Sequence, residues 1–451
     1  MNTKPYATRT AALDLLVRIG EQGGYSHLLL DQAMQKNHLN AKDRALLTEI
    51  VYGTLQYQFR LQYYLQPFVQ KKKIDKWVKW LLYLSVYQME FLEKVPDHAV
   101  FHQSVEISKQ RGHKGIANFV NGVLRAIQRK GVPSIQAIED PIKRLSIATS
   151  HPGWLVKRWV DQFGMAITED MCHTNLQTKP MTIRTQPLKR NRDELLQQLE
   201  RDGFHVEPSI VSNQGIVVKE GNILHHSVFQ NHLCTIQDES SMLVAEMMDI
   251  EPNMTILDAC SAPGGKATHI AEKLQDRGEV IAYDLHGKKA KLVEQKATEL
   301  SLQSIHAQQA DARKLDEIHE AESFDRILVD APCSGLGVLR SKPDIKYNKV
   351  AEDISTLADI QYEILKKMTR LLKKDGKLIY STCTVDKEEN EWLIARLLQE
   401  LDDWEVDQSF FEQLPNVLSE GSGISRYGIQ MFPQDINSDG FFITRLVRTS
   451  G

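Results

Sequence analysis

Cysteine is scarce in this sequence, and its spacing excludes two classes of small stabilised domain. Five cysteines are spread over 451 residues, and no two of them form a C-x-x-C pair. A disulfide framework needs a denser set of cysteines, and a zinc knuckle needs ligands in close pairs. We therefore expect neither structural disulfides nor a bound metal.

Long apolar runs are also missing. The longest charge-free apolar stretch in the first half, residues 80–89, is half of the ~20 residues that a bilayer span needs. The first ten residues contain no apolar signal core. Apolar residues make up 42% and charged residues 25% of the chain, as in ordinary soluble proteins. The sequence predicts a cytoplasmic protein without a membrane partner.

The charges are unevenly distributed along a chain that is long enough for about two to four domains. The formal net charge is -4, but residues 1–150 carry +9 and residues 151–451 carry -13. A basic segment of this size favours an anionic partner, whereas the total charge would argue against one. The two parts of the chain are therefore expected to have different functions.

Residues 8–130 show the apolar spacing of helices. Arg125 and Arg129 lie on the face opposite to the clearest apolar stripe. The stripe recurs at helical intervals and comprises Ile116, Phe119, Val120, Val123, Leu124 and Ile127. We predict an all-helical domain over residues 1–140 with basic exposed faces.

The pattern changes after residue 140. Two β runs, 181–185 and 215–219, flank a charged helical stretch at 191–202, which predicts a small α/β bridging module over residues 141–235. From about residue 254, short apolar strands alternate with helices, as in a Rossmann-like parallel sheet. The predicted strands are 255–258, 280–284, 305–308, 326–330 and 377–381, followed by an antiparallel pair at 429–432 and 441–447.

A glycine-rich loop follows the first strand of this sheet, where such sheets bind ligands. It reads Cys260-Ser261-Ala262-Pro263-Gly264-Gly265-Lys266 and runs into a helix. The dinucleotide fingerprint G-x-G-x-x-G is absent, and a single carboxylate suits the shorter loop. Asp284 and Asp311 end or follow the next two strands, where a ribose and an adenine can be bound. These residues predict a nucleoside-bearing cofactor, with Cys260 packed as a small apolar residue.

Two cysteines stand just past the ends of later strands. Cys333 follows Asp330-Ala331-Pro332, and Cys383 follows Ser381-Thr382, so both are predicted to face the cofactor crevice. A thiolate that adds to C6 of a cytosine makes C5 nucleophilic enough to attack an electrophilic methyl group. Asp330 can hold the base at N3 and its exocyclic amine, and Lys266 can favour the ionised thiol. The residues alone leave open which thiol attacks.

Three motifs together resemble the Sun family of RNA cytosine-C5 methyltransferases. Residues 260–266, 330–335 and 381–384 are similar to its S-adenosylmethionine, proline-cysteine and threonine-cysteine motifs, and the similarity covers the C-terminal half of the chain. The resemblance implies S-adenosyl-L-methionine as the cofactor, contacted also by Asp284, Asp311 and Asp330. It further implies that Cys383 is the nucleophile and that Cys333 assists product release.

Residues 118–125 resemble the helical RNA-binding fold of the antitermination factor NusB. With such a domain, the chain is similar to bacterial members of the family that methylate small-subunit (16S) ribosomal RNA, which implies one cytosine, position 967, as the target. The expected fold class is therefore multidomain: an all-α NusB-like N-terminal domain over residues 1–140, the small α/β module over 141–235, and an α/β Rossmann-like S-adenosylmethionine-dependent methyltransferase domain over 236–451.

Basic residues of the first domain are predicted to bind the RNA, because cations attract phosphates whatever the base sequence. We expect the target base to be unpaired or flipped out of its stack, and the protein to be a monomer. The predicted contacts are Lys71, Lys72, Lys73, Lys76, Arg125 and Arg129.

Two other functions compete with this reading. The catalytic motifs alone do not exclude a transfer RNA cytosine-C5 methyltransferase. A non-catalytic RNA-binding factor in ribosome assembly would use the helical domain and keep the rest as a scaffold. Intact Cys333, Cys383 and Asp330 argue against the second alternative.

Overall fold

The computed structural model describes residues 7–22, 24, 26–36, 39–69 and 73–449. The chain divides into two compact units. The first, here called the helical unit, contains the chain up to Leu176 together with Leu339–Lys349. The second, the α/β unit, contains Gln177–Val338 and the chain from Val350 onward. The division into three domains at residues 140 and 235 stays a proposal.

Helices alone build the regular structure described in the first unit, as the sequence predicts. The apolar faces of the seven described helices between Ala7 and Lys130 pack into a shared buried cluster. Among the described residues, no helix is long and apolar enough to cross a membrane. The helices are Ala7–Gln22, Ser26–Lys36, Ala41–Gln56, Gln58–Val69, Lys76–Phe91, Asp97–Arg111, Lys114–Lys130, Pro141–Thr149, Gly153–Phe163, Met165–Thr174 and the short Ile345–Asn348.

Helix Lys114–Lys130 illustrates why this sequence is helical. Val120, Val123, Leu124 and Ile127 recur on one face and are buried, whereas the basic residues of the opposite face are exposed. The helix ends at Gly131, whose φ of 72° is one that glycine adopts without strain. The predicted amphipathic stripe is therefore the face that packs into the core.

A small antiparallel sheet opens the α/β unit. Its strands are β1 Met181–Thr185, β2 His205–Pro208, β3 Gly215–Glu220 and β4 Cys234–Ile236. Their order in the sheet is β2-β3-β1-β4. Helix Arg192–Arg201 packs against it through buried Leu195 and Leu199. The sequence pattern predicts this helix, β1 and β3, but misses β2 and β4, which are too short to show alternation.

The strands of the large sheet of this unit are β5 Thr255–Asp258, β6 Glu279–Asp284, β7 Ile305–Gln309, β8 Phe324–Asp330, β9 Leu372–Thr382, β10 Trp404–Val406, β11 Ile424–Ser425, β12 Gly428–Met431 and β13 Phe441–Arg448. Their order is β11-β12-β13-β9-β8-β5-β6-β7, with β10 paired to β13. Strands β5 to β9 are mutually parallel, and β10 to β13 pair antiparallel. The predicted Rossmann-like sheet with a closing antiparallel pair is confirmed.

Both faces of the large sheet are covered. Ile256 and Leu257 are neighbours on β5 but belong to different buried clusters, as expected when alternate side chains point to opposite faces. The other α-helices of the α/β unit are Ser227–Gln230, Glu239–Glu246, Gly265–Lys273, Gly287–Leu300, Ala351–Leu371, Glu391–Glu400, Gln408–Glu412 and Asn416–Ser419.

A buried lysine anchors the segment Leu339–Lys349 within the helical unit. Lys346 is 0% exposed, and its Nζ donates to the carbonyl oxygen of Gln56 at 3.1 Å. The hydroxyl of Tyr347 donates to the carbonyl oxygen of Ser150 at 3.2 Å. Burial without a carboxylate partner in the described part of the chain lowers the pKa of Lys346 from 10.5 to about 7.

Replacing Lys346 with methionine should change the pH dependence of stability. The unfolded lysine binds its proton up to a pKa near 10.5, whereas the folded protein releases it at about 7, so the free energy of unfolding rises with pH between these values. In Lys346→Met it should rise less steeply. Thermal unfolding across this pH range measures the slope, and Lys342→Met, at an exposed position of the same segment, is the control. Equal slopes in all three proteins would contradict the prediction.

Candidate active site

Parallel strands bring the candidate residues of the α/β unit to one edge of the large sheet. Asp330 ends β8 and is in register with Ser381 of β9, and Leu328 of β8 is in register with Asp258, which ends β5. The carboxyl ends of parallel strands meet at the same edge. The loops that follow β5, β8 and β9 therefore surround one crevice.

The loop after β5 adopts a backbone conformation that requires glycine at position 264. Ser261 N donates to the carbonyl oxygen of Tyr283 at 2.7 Å, and Gly264 N donates to the carbonyl oxygen of Ser261 at 2.8 Å. Gly264 has a φ of 97°, and a Cβ there would lie 3.0 Å from Cα of Val293. Helix Gly265–Lys273 begins directly after it, which leaves the first helical amides available to an anion.

Two buried polar groups beside this loop lack well-formed hydrogen bonds among the described residues. They are the carboxylate of Asp258 and the hydroxyl of Ser261, which lie close to each other, and the Cys260 amide also lies near the carboxylate. Burial, with a further contribution from Asp330, raises the pKa of Asp258 to about 7. Buried polar groups are nearly always paired in native proteins. These groups and the free amides fit the polar amino-acid end of S-adenosyl-L-methionine.

The other two predicted cofactor acids lie at the ends of adjacent strands. Asp284 ends β6 and accepts a hydrogen bond from His286 N at 2.9 Å. Asp311 follows β7 and forms an ion pair of 2.6 Å with Arg313, a hydrogen-bonded contact that lowers the pKa of Asp311. Arg313 could not be predicted, because an arginine two residues after an acid carries no signal of its own in the sequence.

A pocket of about 240 Å³ lies where the loops after β5 and β9 meet. The Nζ of Lys266 is 2.8 Å from Oδ2 of Asp330, and Ser381 Oγ donates to Oδ1 of the same carboxylate at 2.8 Å. Burial alone would lower the pKa of Lys266, but Asp330 outweighs it and the pKa is raised. The predicted residues that line the pocket are Ser261, Ala262, Pro263, Gly265, Lys266, Asp330 and Cys383; those that do not are Cys260, Gly264, Asp284, Asp311 and Cys333.

The structure brings the two predicted thiols together. The Sγ atoms of Cys333 and Cys383 are 3.3 Å apart, well beyond the ~2.05 Å of a disulfide bond, so both remain thiols. The hydrogen bond to Cys383, together with burial, raises the pKa of the Cys333 thiol well above its ordinary value. Cys383 lines the pocket, and Lys266 interacts with it electrostatically. The two thiols therefore have different environments, a distinction that the motifs alone do not make.

Comparison with known proteins identifies the family. Residues 245–447 match the profile described as 16S rRNA methyltransferase RsmB/F, residues 6–129 that of the NusB family, and residues 151–224 that of the RsmF/B-like ferredoxin-like domain. A protein from Bacillus subtilis (strain 168), named probable ribosomal RNA small subunit methyltransferase B, is 48% identical over 98% of both chains. The chain belongs to the RsmB/F methyltransferase family. A relative of the same name from Synechocystis is 32% identical over 98% of this chain and 99% of its own.

Solved structures share the fold of this RsmB/F family member. The crystal structure of PH0851 has a TM-score of 0.81 at 24% identity and covers 99% of each chain. The structure of NSun6 from Pyrococcus horikoshii with SFG has a TM-score of 0.59 at 20% identity and covers 66% of this chain and 99% of its own. With the matched NusB and ferredoxin-like segments, these similarities confirm the predicted multidomain fold class.

The basic residues predicted to bind RNA are only partly described. Lys71 and Lys72 lie outside the described residues. Lys73 is exposed, and so are Arg125 and Arg129 on their shared helix. Lys76 is exposed as well, but its ammonium pairs with Glu21 at 2.5 Å. Lys73, Arg125 and Arg129 are therefore the predicted contacts best placed to meet a phosphate.

A buried glutamate in this RsmB/F family member holds the two cysteine-bearing loops. Glu389 Oε1 accepts hydrogen bonds from Ser334 N and from Gln361 Nε2, each at 2.8 Å. The hydroxyls of Ser334 and Thr384 are 2.7 Å apart, and each neighbours one of the cysteines. Burial raises the pKa of Glu389. This role of Glu389 could not be predicted from the sequence, because its partners are distant in the chain.

A buried ion pair supports the cofactor loop from the small sheet. Arg184 on β1 is 0% exposed, and its Nε lies 2.7 Å from Oε2 of Glu272 on helix Gly265–Lys273. Nη1 of Arg184 also donates to the carbonyl oxygen of Gly265 at 2.7 Å. The pair thus fixes the first turn of the helix that follows the loop. A single arginine in a β run gave no signal for this role.

Removing one partner of this pair should destabilise the protein more than removing both. Arg184→Met leaves the Glu272 charge buried and should cost about 3–5 kcal/mol, whereas Arg184→Met with Glu272→Met replaces both charges with apolar groups and should recover much of the loss. Urea unfolding of the full chain measures both. Lys219→Met, which breaks an exposed pair with Glu207 in the same sheet, should cost less than about 1 kcal/mol. A double variant no more stable than the single variant would refute the charge argument.

Proposed function

We propose that this protein transfers a methyl group from S-adenosyl-L-methionine to C5 of one cytosine in 16S ribosomal RNA, through a covalent bond between Cys383 and C6. The observation that carries the proposal is the pair of thiols 3.3 Å apart beside the Lys266–Asp330 ion pair. Methyl transfer to an oxygen or nitrogen needs no such thiol, because those atoms are nucleophilic already. Carbon C5 becomes a nucleophile only after addition at C6. The family and its relatives' names support ribosomal RNA as the substrate.

Each side chain has a separate part in the proposed reaction. Lys266 favours the thiolate of Cys383, whose sulfur attacks C6 while Asp330 holds N3 and the exocyclic amine of the base. Bound S-adenosyl-L-methionine supplies the electrophilic methyl group that C5 receives. Solvent water then accepts the C5 proton, the electrons of the C5–H bond form the C5–C6 double bond, and the C6–S bond breaks as the Cys383 sulfur leaves. Cys333 keeps its proton 3.3 Å away and donates it to the departing sulfur, which assists release.

Substitution of each cysteine should separate attack from release. Cys383→Ala should form no RNA adduct and should lose methylation by more than about 100-fold, since the nucleophile is absent. Cys333→Ala should accumulate an RNA-protein adduct, because the departing sulfur lacks its proton donor. Denaturing gels with labelled 16S RNA detect the adduct. Cys234→Ala, at a cysteine of the small sheet outside the cofactor loop, should behave as the wild type. An adduct that persists in Cys383→Ala would exchange the roles or refute the mechanism.

The helical unit is proposed to provide much of the attraction for RNA. Residues 241–451 carry a net charge of -11, so the part of the chain that contains the thiols repels a polyanion. The exposed Lys73, Arg125 and Arg129 belong to the basic first part of the sequence. Phosphate contacts of this kind give affinity without base specificity and weaken with salt.

Alanine at Lys73, Arg125 and Arg129 together should weaken RNA binding and flatten its salt dependence. The slope of the logarithm of the binding constant against that of salt should fall by about 0.7–0.9 for each lost contact. Filter binding at several salt concentrations measures the slope, while calorimetry should find S-adenosyl-L-methionine affinity unchanged. Lys374→Ala, at an exposed site of the α/β unit, is the control. An unaltered slope in the triple variant would show that these residues do not contact phosphates.

A further inference from the structure

Lys296 lies in the pocket that contains the proposed reacting groups, although no motif includes it. It belongs to helix Gly287–Leu300 and lines the same cavity of about 240 Å³ as Lys266 and Cys383. Its Nζ is 3.9 Å from the position that a Cβ on Gly265 would occupy. The ammonium group therefore lies against the loop after β5, at the start of the helix whose first amides are free.

Lys296 has no ion-pair partner among the described residues. Lys266 pairs with Asp330, and Lys179 pairs with Asp238 and Asp439. Lys296 takes part in no ion pair or hydrogen bond within the described ranges. Burial and the nearby Arg184 lower its pKa, and the more distant charges of Glu299 and Glu272 do not outweigh them. A half-buried ammonium without a partner is costly, unless a ligand supplies the missing negative charge.

The second cation near Gly265 does not serve this purpose. Arg184 is held by Glu272, and its Nη1 is occupied by the carbonyl oxygen of Gly265. Lys296 and the amides of the first helical turn together therefore provide the local positive potential that remains available to an anion.

The other charges that line the pocket limit which anion fits. Asp238, Asp330 and Asp439 line it as well. Although Lys266 and Lys179 pair with them, three carboxylates so close together still disfavour the polyanionic backbone of RNA. They suit a zwitterion, whose ammonium group they can attract. The amino-acid end of S-adenosyl-L-methionine is such a zwitterion, with one carboxylate and one ammonium group.

We infer that Lys296 binds the carboxylate of the amino-acid end of S-adenosyl-L-methionine and so distinguishes the complete cofactor from adenosine derivatives that lack an amino acid. This inference rests on the proposed function, because it concerns the cofactor of the same crevice. Lys296 acts in binding and not in the transfer step, so its effect is expected in cofactor affinity.

Two nucleosides allow the contribution of the carboxylate to binding to be measured apart from that of the rest of the cofactor. S-Adenosylhomocysteine contains the amino-acid end, whereas 5′-methylthioadenosine keeps the adenosine and the sulfur without it. Calorimetry on the full-length protein should find that Lys296→Met binds S-adenosylhomocysteine at least about tenfold more weakly and 5′-methylthioadenosine within about twofold of the wild type. Lys296→Arg should retain much of the affinity. Lys291→Met, at an exposed position of the same helix, should leave both affinities unchanged.

The remaining outcomes overturn the inference in distinct ways. Equal weakening of both nucleosides would mean that Lys296 shapes the loop and does not bind the carboxylate. Unchanged S-adenosylhomocysteine binding with weakened RNA binding would assign the lysine to a phosphate, and unchanged binding of both would leave it without this role. If the wild type binds neither nucleoside, the proposed function fails together with the inference; if it binds S-adenosylhomocysteine normally, only the inference is at risk.

Discussion

The parallel register of β5, β8 and β9 is the constraint on which the candidate site depends. It places Asp258, Asp330 and Ser381 at the same edge of the sheet, so that three loops far apart in sequence surround one crevice. A slip of one residue in either pairing would turn the strand-end side chains to the opposite face. The ion pair of Lys266 with Asp330 and the hydrogen bond from Ser381 then hold the carboxylate in one orientation.

Local charge pairing allows so many ionisable groups to share a partly buried pocket. Burial penalises each of them, and a partner within hydrogen-bond distance offsets the penalty for Lys266, Lys179 and Arg184. Where no ion-pair partner is present, burial shifts the pKa so that the neutral form is favoured. The pKa of Asp258 is raised, and the pKa of Lys296 is lowered. The groups without an ion-pair partner lie beside the loop to which we assign the cofactor. The bound cofactor would supply the opposite charges that these groups lack.

The motifs of this family member can be recognised in the sequence because the residues that form each motif are close together in the chain. A glycine pair before a helix, or a cysteine directly after a strand, can be recognised within ten residues of sequence. The strands of the large sheet were also predictable, since their apolar runs are long enough to show a pattern; β9 nevertheless begins at Leu372, five residues before the predicted start. Residues whose function depends on distant partners were missed. Glu389 contacts Ser334, Arg184 contacts Glu272, and Lys346 is buried against Gln56, and none of these contacts leaves a local signal.

The sequence by itself determined the fold class, the helical first part, the Rossmann-like sheet and the set of residues with the required chemistry. These follow from apolar periodicity and from short-range backbone requirements, which the local chain carries. Only the tertiary structure decided that Cys333 and Cys383 lie 3.3 Å apart and that Cys383, not Cys333, lines the pocket with Lys266. The distance and the difference in environment arise from strand register and burial, and both depend on residues that are remote in the chain and meet only after folding.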